Sequence, residues 1–475
     1  MNYKTARDML ADLAAKRVSA RELLDAHMAR HEALHTRLNA VVETDIPRAR
    51  DEAQAIDDAR AKGMVLGALA GLPMTIKDGF DVEGMPATAG LPALAHRSRD
   101  CADADLVAAV RRRGAIVWGK TNVPLMLGDF QTYNDIYGTT NNPYDLSRTP
   151  GGSSGGAAAA LAAGIAPLEI GSDIGGSLRH PANFCGVLSL KPTWGALSLR
   201  GHVPPMPGQY CELDLGVAGP MARNAGDLKF LWHVLRGTTV APARGVEGAR
   251  IAVWDEEDGF PLAAEIRDGV RRAADALERA GAIVERAKPD IAGLALVDVY
   301  LALLWPIIAA GFPEELFKSF AAQREADEKA VQSGANLFSP ELFRLRATAS
   351  YRDVLAVMTK RQAMKDRASG FFALGWDAIL CPISPVAAFT HRHAQPMASR
   401  TLDVDGIAAP YLTMMWWIAL ATALHLPAIA VPAGQTADGL PVGVQFVGAW
   451  DHEDRLFDLA TALENQLGGF RPPAL

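Results

Sequence analysis

The hydrophobic pattern changes its character near residue 66. Before that point the chain reads as amphipathic helices, and Ser19 with Glu22 forms an S-x-x-E capping box that predicts one helix start. After it, short apolar runs broken by Gly and Pro predict strands at 72–77, 115–120, 166–170 and 187–190. Between these strands, helical patterns occupy 104–113 and 157–163.

The second half of the chain repeats this alternation. A strand at 251–254 starts a strand–helix unit that ends at Gly281, and a helix-rich segment follows from 294 to 369. Strand texture returns before a closing helix, at 378–381, 428–431 and 443–447. Strand and helix in alternation predict an α/β fold, with a mixed, mostly parallel central sheet that helices cover on both faces.

We expect one domain over residues 1–475. Its predicted parts are N-terminal helices at 1–64, a core at 65–235, an α/β extension with a helical insertion at 245–370, and the C-terminal part of the core at 371–475.

Composition excludes several classes of protein. A hydrophobic fraction of 49% and a charged fraction of 21% indicate a globular chain. The net charge of −7 does not favour binding to nucleic acid. The longest apolar stretch, 294–312, contains Asp298 and Pro306, so we expect a buried helix rather than a membrane span. The four cysteines show no CxxC spacing and the N-terminus does not resemble a signal peptide, which together predict a reducing, cytoplasmic location.

Two glycine-rich turns carry serines. The first, TPGGSSGG at 149–156, is not a phosphate loop because no GK[ST] follows. It is read either as a turn that caps the next helix or as the nucleophile elbow of an α/β-hydrolase, since Ser153 and Ser154 both satisfy G-x-S-x-G and His425 lies downstream. The elbow reading would make the chain an esterase.

The second turn, GSDIGGSLR at 171–179, places Ser177 after two glycines. Glycines before a nucleophile let successive backbone N–H groups converge on one point, as an oxyanion hole requires, and the natural donors are Ile174, Gly175 and Gly176. Lys77 ends an apolar run just before an Asp-Gly turn, and on its own it would be read as a solvated lysine at a strand end.

Together these segments resemble the amidase signature family. The resemblance rests on GLPMTIKD around Lys77, on GGSSGG, and on GSDIGGS, with Ser153 and Ser177 separated by 24 positions (177 − 153). It continues downstream through CGVLSLKPTWG, GPMAR, LPAIAVPAG and GLPVGVQFVG, so that it covers nearly the whole chain.

The resemblance implies a mechanism. Ser177 would attack the amide carbonyl, and Ser153, held on a cis peptide bond, would pass the proton to Lys77. Lysine is a base only when neutral, which requires burial to lower its pKa. Four further residues are implied as support: Ser154, Ser172, and Asp173 paired with Arg179. No metal or nucleotide motif is present, so we predict no metal and no cofactor.

Substrate and partners are less closely defined by the sequence. The predicted pocket residues favour apolar acyl or aryl amides, with side activity on esters or carbamates; they are Met126, Leu127, Phe130, Tyr133, Trp416 and Trp417. We expect a small-molecule amide and water as reactants, no nucleic acid, and a homodimer by analogy with relatives. The alternatives are the glutaminase component of a tRNA-dependent amidotransferase, which requires a partner protein, and a non-catalytic binding protein on the same scaffold.

Overall fold

The fold is taken from a computed structural model that describes residues 2–334 and 336–475. Within these residues the α-helices are α1 (Ala6–Ala14), α2 (Ala20–Leu38), α3 (Ile46–Ala61), α4 (Asp105–Arg112), α5 (Gly155–Ala162), α6 (Arg179–Cys185), α7 (Ala225–Arg236), α8 (Ala264–Arg279), α9 (Gly293–Ala309), α10 (Glu314–Ala321), α11 (Arg324–Gln332), α12 (Pro340–Ala347), α13 (Tyr351–Ala373), α14 (Ala419–Ala423) and α15 (Glu453–Leu467).

The strands are β1 (Val41–Thr44), β2 (Pro73–Lys77), β3 (Ile116–Thr121), β4 (Tyr133–Asn134), β5 (Gly138–Thr139), β6 (Leu168–Asp173), β7 (Leu188–Lys191), β8 (Val217–Ala222), β9 (Arg250–Val253), β10 (Ile283–Arg286), β11 (Ala378–Pro382), β12 (Thr401–Val404), β13 (Ile407–Pro410), β14 (Ala428–Gln435) and β15 (Pro441–Val447). Each strand and helix predicted from the sequence is therefore present, with boundaries shifted by a few residues.

Local sequence explains where several helices begin and end. The capping box expected at Ser19 and Glu22 is formed at the start of α2. Helices α6, α7 and α15 end at Gly186, Gly237 and Gly468, which adopt the left-handed conformation that glycine allows without steric cost.

The central sheet has eight strands in the order β10-β9-β11-β15-β14-β7-β8-β6. It is mixed, as predicted, but the expectation that it is mostly parallel is wrong. Only β10–β9 and β9–β11 pair in parallel, whereas the other five neighbours are antiparallel. The crossover through α6 does return β7 in the direction of β6, but β8 inserts between those two strands and runs against both.

Helices cover both faces of this sheet. Along β14, the side chains of Ile429 and Val431 join one apolar cluster, whereas Ala428 and Ala430 join the other. Successive strand residues point to opposite faces, so this alternation places a separate core on each side of the sheet. One core includes α7, α8 and α15, and the other includes α5, α6 and α9.

A second, smaller sheet holds Lys77. It has three strands in the order β1-β3-β2, and Lys77 is the last residue of β2. Strand β2 contacts β6 of the large sheet, where the Thr75 hydroxyl donates to the buried Glu169 carboxyl group. The two sheets therefore meet beside the residues that the sequence singled out.

The helix-rich segment contains α9 to α13. Helix α9, which includes Pro306, buries eight side chains between Leu296 and Ala309, so the apolar stretch at 294–312 serves packing. Across the described ranges, no helix combines the length and the apolar character that crossing a membrane requires.

Candidate active site

The first serine turn contacts the end of β2. Lys77 Nζ lies 2.8 Å from Ser153 Oγ, and both side chains are buried. The peptide bond between Gly152 and Ser153 is cis, as the resemblance implied. A lysine and a serine that are 76 residues apart in sequence thus form a direct hydrogen bond inside the protein.

Burial dominates the chemistry of Lys77. Its side chain is fully buried, and desolvation lowers its pKa from 10.5 to about 7, although the carboxyl groups of Asp173 and Glu169 oppose that shift. Burial also raises the pKa of Glu169 to about 8, which favours its uncharged form near neutral pH. Near neutral pH a substantial fraction of Lys77 is therefore a free amine, the form that accepts a proton.

Ser172 completes the surroundings of the lysine. Lys77 Nζ lies 3.0 Å from Ser172 Oγ and 3.3 Å from the Ser172 carbonyl oxygen. The neighbouring Ser154 is buried, and its hydroxyl donates to the same carbonyl oxygen at 3.4 Å. The Ser172 hydroxyl is therefore bonded directly to Lys77, and the Ser154 hydroxyl is linked to it through the Ser172 carbonyl oxygen.

The second serine turn is held by one carboxylate. Asp173 accepts four hydrogen bonds, from the amides of Gly176 and Leu178 and from two guanidinium nitrogens of Arg179. Burial alone would raise the pKa of Asp173, but the Arg179 charge and these donors outweigh it and hold that pKa well below its usual range. The predicted Asp173–Arg179 pair is confirmed, and it closes the turn that carries Ser177.

Ser177 lies at the apex of this turn and is 6% exposed. Its carbonyl oxygen accepts a hydrogen bond from the Ser154 amide at 3.2 Å, which joins the two serine turns. Ser153 and Ser177 are therefore brought to adjoining turns, with Lys77 behind Ser153.

The amides of this turn differ from the prediction at one position. The Gly176 amide already donates to Asp173 at 2.9 Å, which removes it from the expected oxyanion hole. In the part of the chain that the structure describes, no acceptor is found for the amides of Ile174, Gly175 and Ser177. Gly176 is needed for its shape instead, because its φ is +88° and an added Cβ would lie 2.4 Å from the His180 ring.

Replacing Asp173 by asparagine tests the strength of this closure. The buried Arg179 would lose its counter-charge, and we expect the free energy of unfolding to fall by about 3–5 kcal/mol, as measured by urea denaturation near neutral pH. Glu325→Gln is the control, because Glu325 forms an exposed helical pair with Lys329, and its loss is expected to cost no more than about 0.5 kcal/mol. Equal effects for the two variants would contradict a structural role for Asp173.

The nucleophile-elbow alternative lacks its structural context. The segment from Thr140 to Ser154 contains no strand that could lead into α5, whereas an elbow joins a strand to a helix. The downstream histidine, His425, is bonded to Asp214 at 2.6 Å and to Lys365 at 2.9 Å. Ser153 is bonded to Lys77 and Ser154 to the Ser172 carbonyl oxygen, and within the described residues neither serine of the first turn is hydrogen-bonded to a histidine.

The predicted pocket residues fall into different environments. Phe130 is buried, with its ring centroid 5.4 Å from that of His180 beside the nucleophile turn. Leu127 and Met126 lie in a short 3₁₀ turn. The Leu127 side chain packs close to Gly79, since a Cβ added to that glycine would lie 3.0 Å from Leu127 Cδ1.

The remaining predicted residues serve other contacts. The Tyr133 hydroxyl donates to Asp129 and accepts from Arg400, so this side chain belongs to a polar cluster. Trp416 and Trp417 both pack against Phe260, and their ring centroids lie 4.6 and 5.4 Å, respectively, from that of Phe260. A substrate-binding role for all six residues stays a prediction.

Three residues near the turn were missed by sequence reasoning. The Tyr300 hydroxyl of α9 donates to the Ile174 carbonyl oxygen at 2.7 Å, and Ile418 Cγ2 would lie 3.2 Å from a Cβ added at Gly176. The third, His202, is bonded to Ser172 at 2.9 Å. Only the position of Ile418 beside the tryptophan pair gave a signal in the sequence.

Comparisons with known proteins show the family to which the chain belongs. The family described as Amidase matches residues 22–457. The A subunit of the glutamyl-tRNA(Gln) amidotransferase of Salinispora arenicola (strain CNS-205) is 33% identical over 510 aligned residues, which cover 98% of each chain. A solved amidase aligns with a TM-score of 0.78 and 29% identity over 98% of this chain and 100% of its own.

A peptide amidase from Stenotrophomonas maltophilia aligns with a TM-score of 0.76 and 28% identity over 99% of this chain and 98% of its own. The chain therefore belongs to the amidase family, as the sequence resemblance implied, and it has the mixed α/β fold of amidase signature enzymes. It is an enzyme of the class that acts on carbon–nitrogen bonds.

Proposed function

We propose that the protein hydrolyses amides through an acyl-enzyme on Ser177, with Ser153 and Lys77 as its proton relay. The observation that carries this proposal is the 2.8 Å contact between Lys77 Nζ and Ser153 Oγ, made where burial lowers the lysine pKa to about 7. A serine hydroxyl becomes an effective nucleophile when an adjacent base removes its proton. Lys77 supplies that base, and Ser153 transmits its effect to the neighbouring turn.

In this mechanism Ser177 Oγ bonds to the substrate carbonyl carbon while its proton moves to Ser153, whose own proton moves to Lys77. Negative charge develops on the carbonyl oxygen, and the amides of Ile174, Gly175 and Ser177, for which no acceptor is found among the described residues, supply donors there. The lysine proton then returns through Ser153 to the leaving amine as the carbon–nitrogen bond breaks. Water attacks the acyl-enzyme by the same route and releases the acid.

For the substrate, the first candidate is the side-chain amide of glutamine. It is favoured by the amidotransferase component of Salinispora arenicola, which matches this chain over 98% of both lengths. A protein of that kind supplies ammonia to a partner protein, so this candidate also proposes a hetero-oligomer rather than a homodimer.

The second candidate is an apolar acyl or aryl amide, hydrolysed without a partner. It is favoured by the apolar side chains around the nucleophile turn: Phe130 contacts His180, and Ile418 lies against Gly176. The zwitterionic end of glutamine would need charged partners, whereas these side chains suit a hydrocarbon or ring.

A substrate panel on the purified chain separates the two candidates. Ammonia release from glutamine and nitroaniline release from 4-nitroacetanilide are measured at matched enzyme concentration, with the oligomeric state followed by size-exclusion chromatography. Anilide turnover well above glutamine turnover by a chain without partner would support the free-standing hydrolase and contradict the glutaminase. The reverse ratio would support the amidotransferase component. Ser177→Ala is the blank in both assays.

A further inference from the structure

His202 is linked to Lys77 through the hydroxyl of Ser172. The loop that carries His202 is hydrogen-bonded to the segment just after β2. The Asp81 amide donates to the Gly201 carbonyl oxygen, and the Val203 amide donates to the Gly79 carbonyl oxygen. The imidazole is partly buried and packs edge-on against Phe80, with ring centroids 4.8 Å apart. Main-chain bonds therefore fix His202 to the same segment that positions Lys77.

Both ring nitrogens of His202 are engaged. Nδ1 lies 2.8 Å from the Pro204 carbonyl oxygen, and Nε2 lies 2.9 Å from Ser172 Oγ. A carbonyl oxygen only accepts hydrogen bonds, so Nδ1 must carry the proton of a neutral ring and Nε2 must be the acceptor. The Ser172 hydroxyl is then the donor to Nε2.

This arrangement fixes the hydrogen bonds of the neutral lysine. An uncharged amine has two N–H donors and one lone pair, and Lys77 Nζ has three contacts: the Ser172 carbonyl oxygen, Ser172 Oγ and Ser153 Oγ. The carbonyl oxygen accepts one N–H. Since the Ser172 proton is committed to His202, Ser172 Oγ accepts the other N–H. The lone pair is left for Ser153.

We propose that His202 is a positioning residue of the relay, which acts through Ser172 to direct the Lys77 lone pair at Ser153. Without an acceptor at position 202, the Ser172 hydroxyl turns its proton towards Lys77 and competes with Ser153 for the lone pair. This inference rests on the proposed function, because it assigns the base in that mechanism its orientation.

The charges that face His202 favour its neutral form. Burial, helped by the nearby Lys77 charge, lowers its pKa to about 4, although the Pro204 carbonyl and Asp81 oppose the shift. Asp81 is itself paired with Arg97 at 2.8 Å. The ring therefore stays an acceptor at Nε2 throughout the range in which Lys77 loses its proton.

The test compares His202→Leu with His202→Gln, with and without Ser172→Ala, using a fluorophosphonate probe and mass spectrometry of the Ser177 adduct. His202→Leu is expected to lower the maximal labelling rate by about tenfold to a hundredfold at unchanged half-saturating probe concentration, because it removes the acceptor. Glutamine can accept from Ser172 and donate to Pro204, so His202→Gln is expected to stay within about threefold of the original chain.

The double variants separate positioning from packing. With Ser172→Ala in place, His202→Leu is expected to have no further effect, since the hydroxyl through which it acts is gone. Equal losses for leucine and glutamine, or a leucine effect that persists beside Ser172→Ala, would overturn the proposal.

A measurement independent of the nucleophile keeps the two proposals apart. ¹⁵N-imidazole NMR of histidine-labelled protein, assigned with His202→Gln, reports the tautomer of His202 directly. A protonated Nδ1 with a bare Nε2 supports the hydrogen-bond chain even if no probe labels Ser177, which would reject the proposed nucleophile alone. A protonated Nε2 would overturn the role of His202.

Discussion

Ser177→Ala is expected to lower amide turnover by roughly four orders of magnitude or more, because no acyl-enzyme can form without the nucleophile. Fluorophosphonate labelling at the site should disappear together with turnover. Folding should be unaffected, since only one hydroxyl group is removed and the hydrogen bond from the Gly176 amide to Asp173, which closes the turn, persists. Intact-protein mass spectrometry and substrate turnover measure the two effects on the same sample.

The control for this experiment is Ser319→Ala, which removes an exposed serine hydroxyl from α10. Its labelling and turnover should match those of the original chain. An adduct that remains in Ser177→Ala and maps to Ser153 or Ser154 would reject the assignment and restore the first serine turn as the nucleophile.

Activity is expected to rise with pH through about 7 and then level, because Lys77 accepts a proton only when it is neutral. Its pKa is lowered to about 7, so the ammonium form predominates below that pH and the relay is blocked. Lys77→Ala should abolish this rise of activity with pH, the acidic limb of the profile, and lower kcat/KM by about 10²–10⁴-fold. A pH profile of kcat/KM between pH 5 and 9 measures both the limb and its loss.

Lys191→Met is the matched control for the lysine prediction. Lys191 is also buried, with its pKa lowered to about 7 by desolvation, but its ammonium group donates to the carbonyl oxygens of Pro192 and Leu426, and no hydrogen bond from it to Ser153 or Ser177 is found among the described residues. Its replacement is expected to change stability while the acidic limb stays in place. If the acidic limb of the pH profile were shifted in Lys191→Met and unchanged in Lys77→Ala, Lys77 would be removed from the mechanism.

The sequence was sufficient to predict the relay residues because each lies in a segment with a local signature. Ser153 and Ser177 occupy glycine-rich turns, and Lys77 ends an apolar strand. The strand positions could be predicted for the same reason, because each strand is a short apolar run bounded by Gly or Pro and can be recognised from its own segment alone. The Asp173–Arg179 pair is also local, because its members are six positions apart.

What the sequence did not show depends on contacts between distant segments. His202 meets Ser172 across 30 positions and lies in a loop without periodicity. The Gly176 amide is taken by Asp173 because of the turn's three-dimensional path, which glycine content alone does not define. Strand–helix alternation predicts a mixed, mostly parallel sheet, but strand direction also depends on which later segment inserts between two earlier strands.

Lys77 and Ser172, which are bonded to each other, belong to two different sheets. Lys77 ends β2 of the small sheet, whereas Ser172 lies in β6 of the large one. The strands of each sheet are paired by backbone hydrogen bonds within that sheet. A slide of one sheet past the other would part Lys77 from the Ser172 hydroxyl while the ladders within each sheet stayed intact. The alignment of the two sheets, rather than the integrity of either one, therefore sets the distance between these two groups.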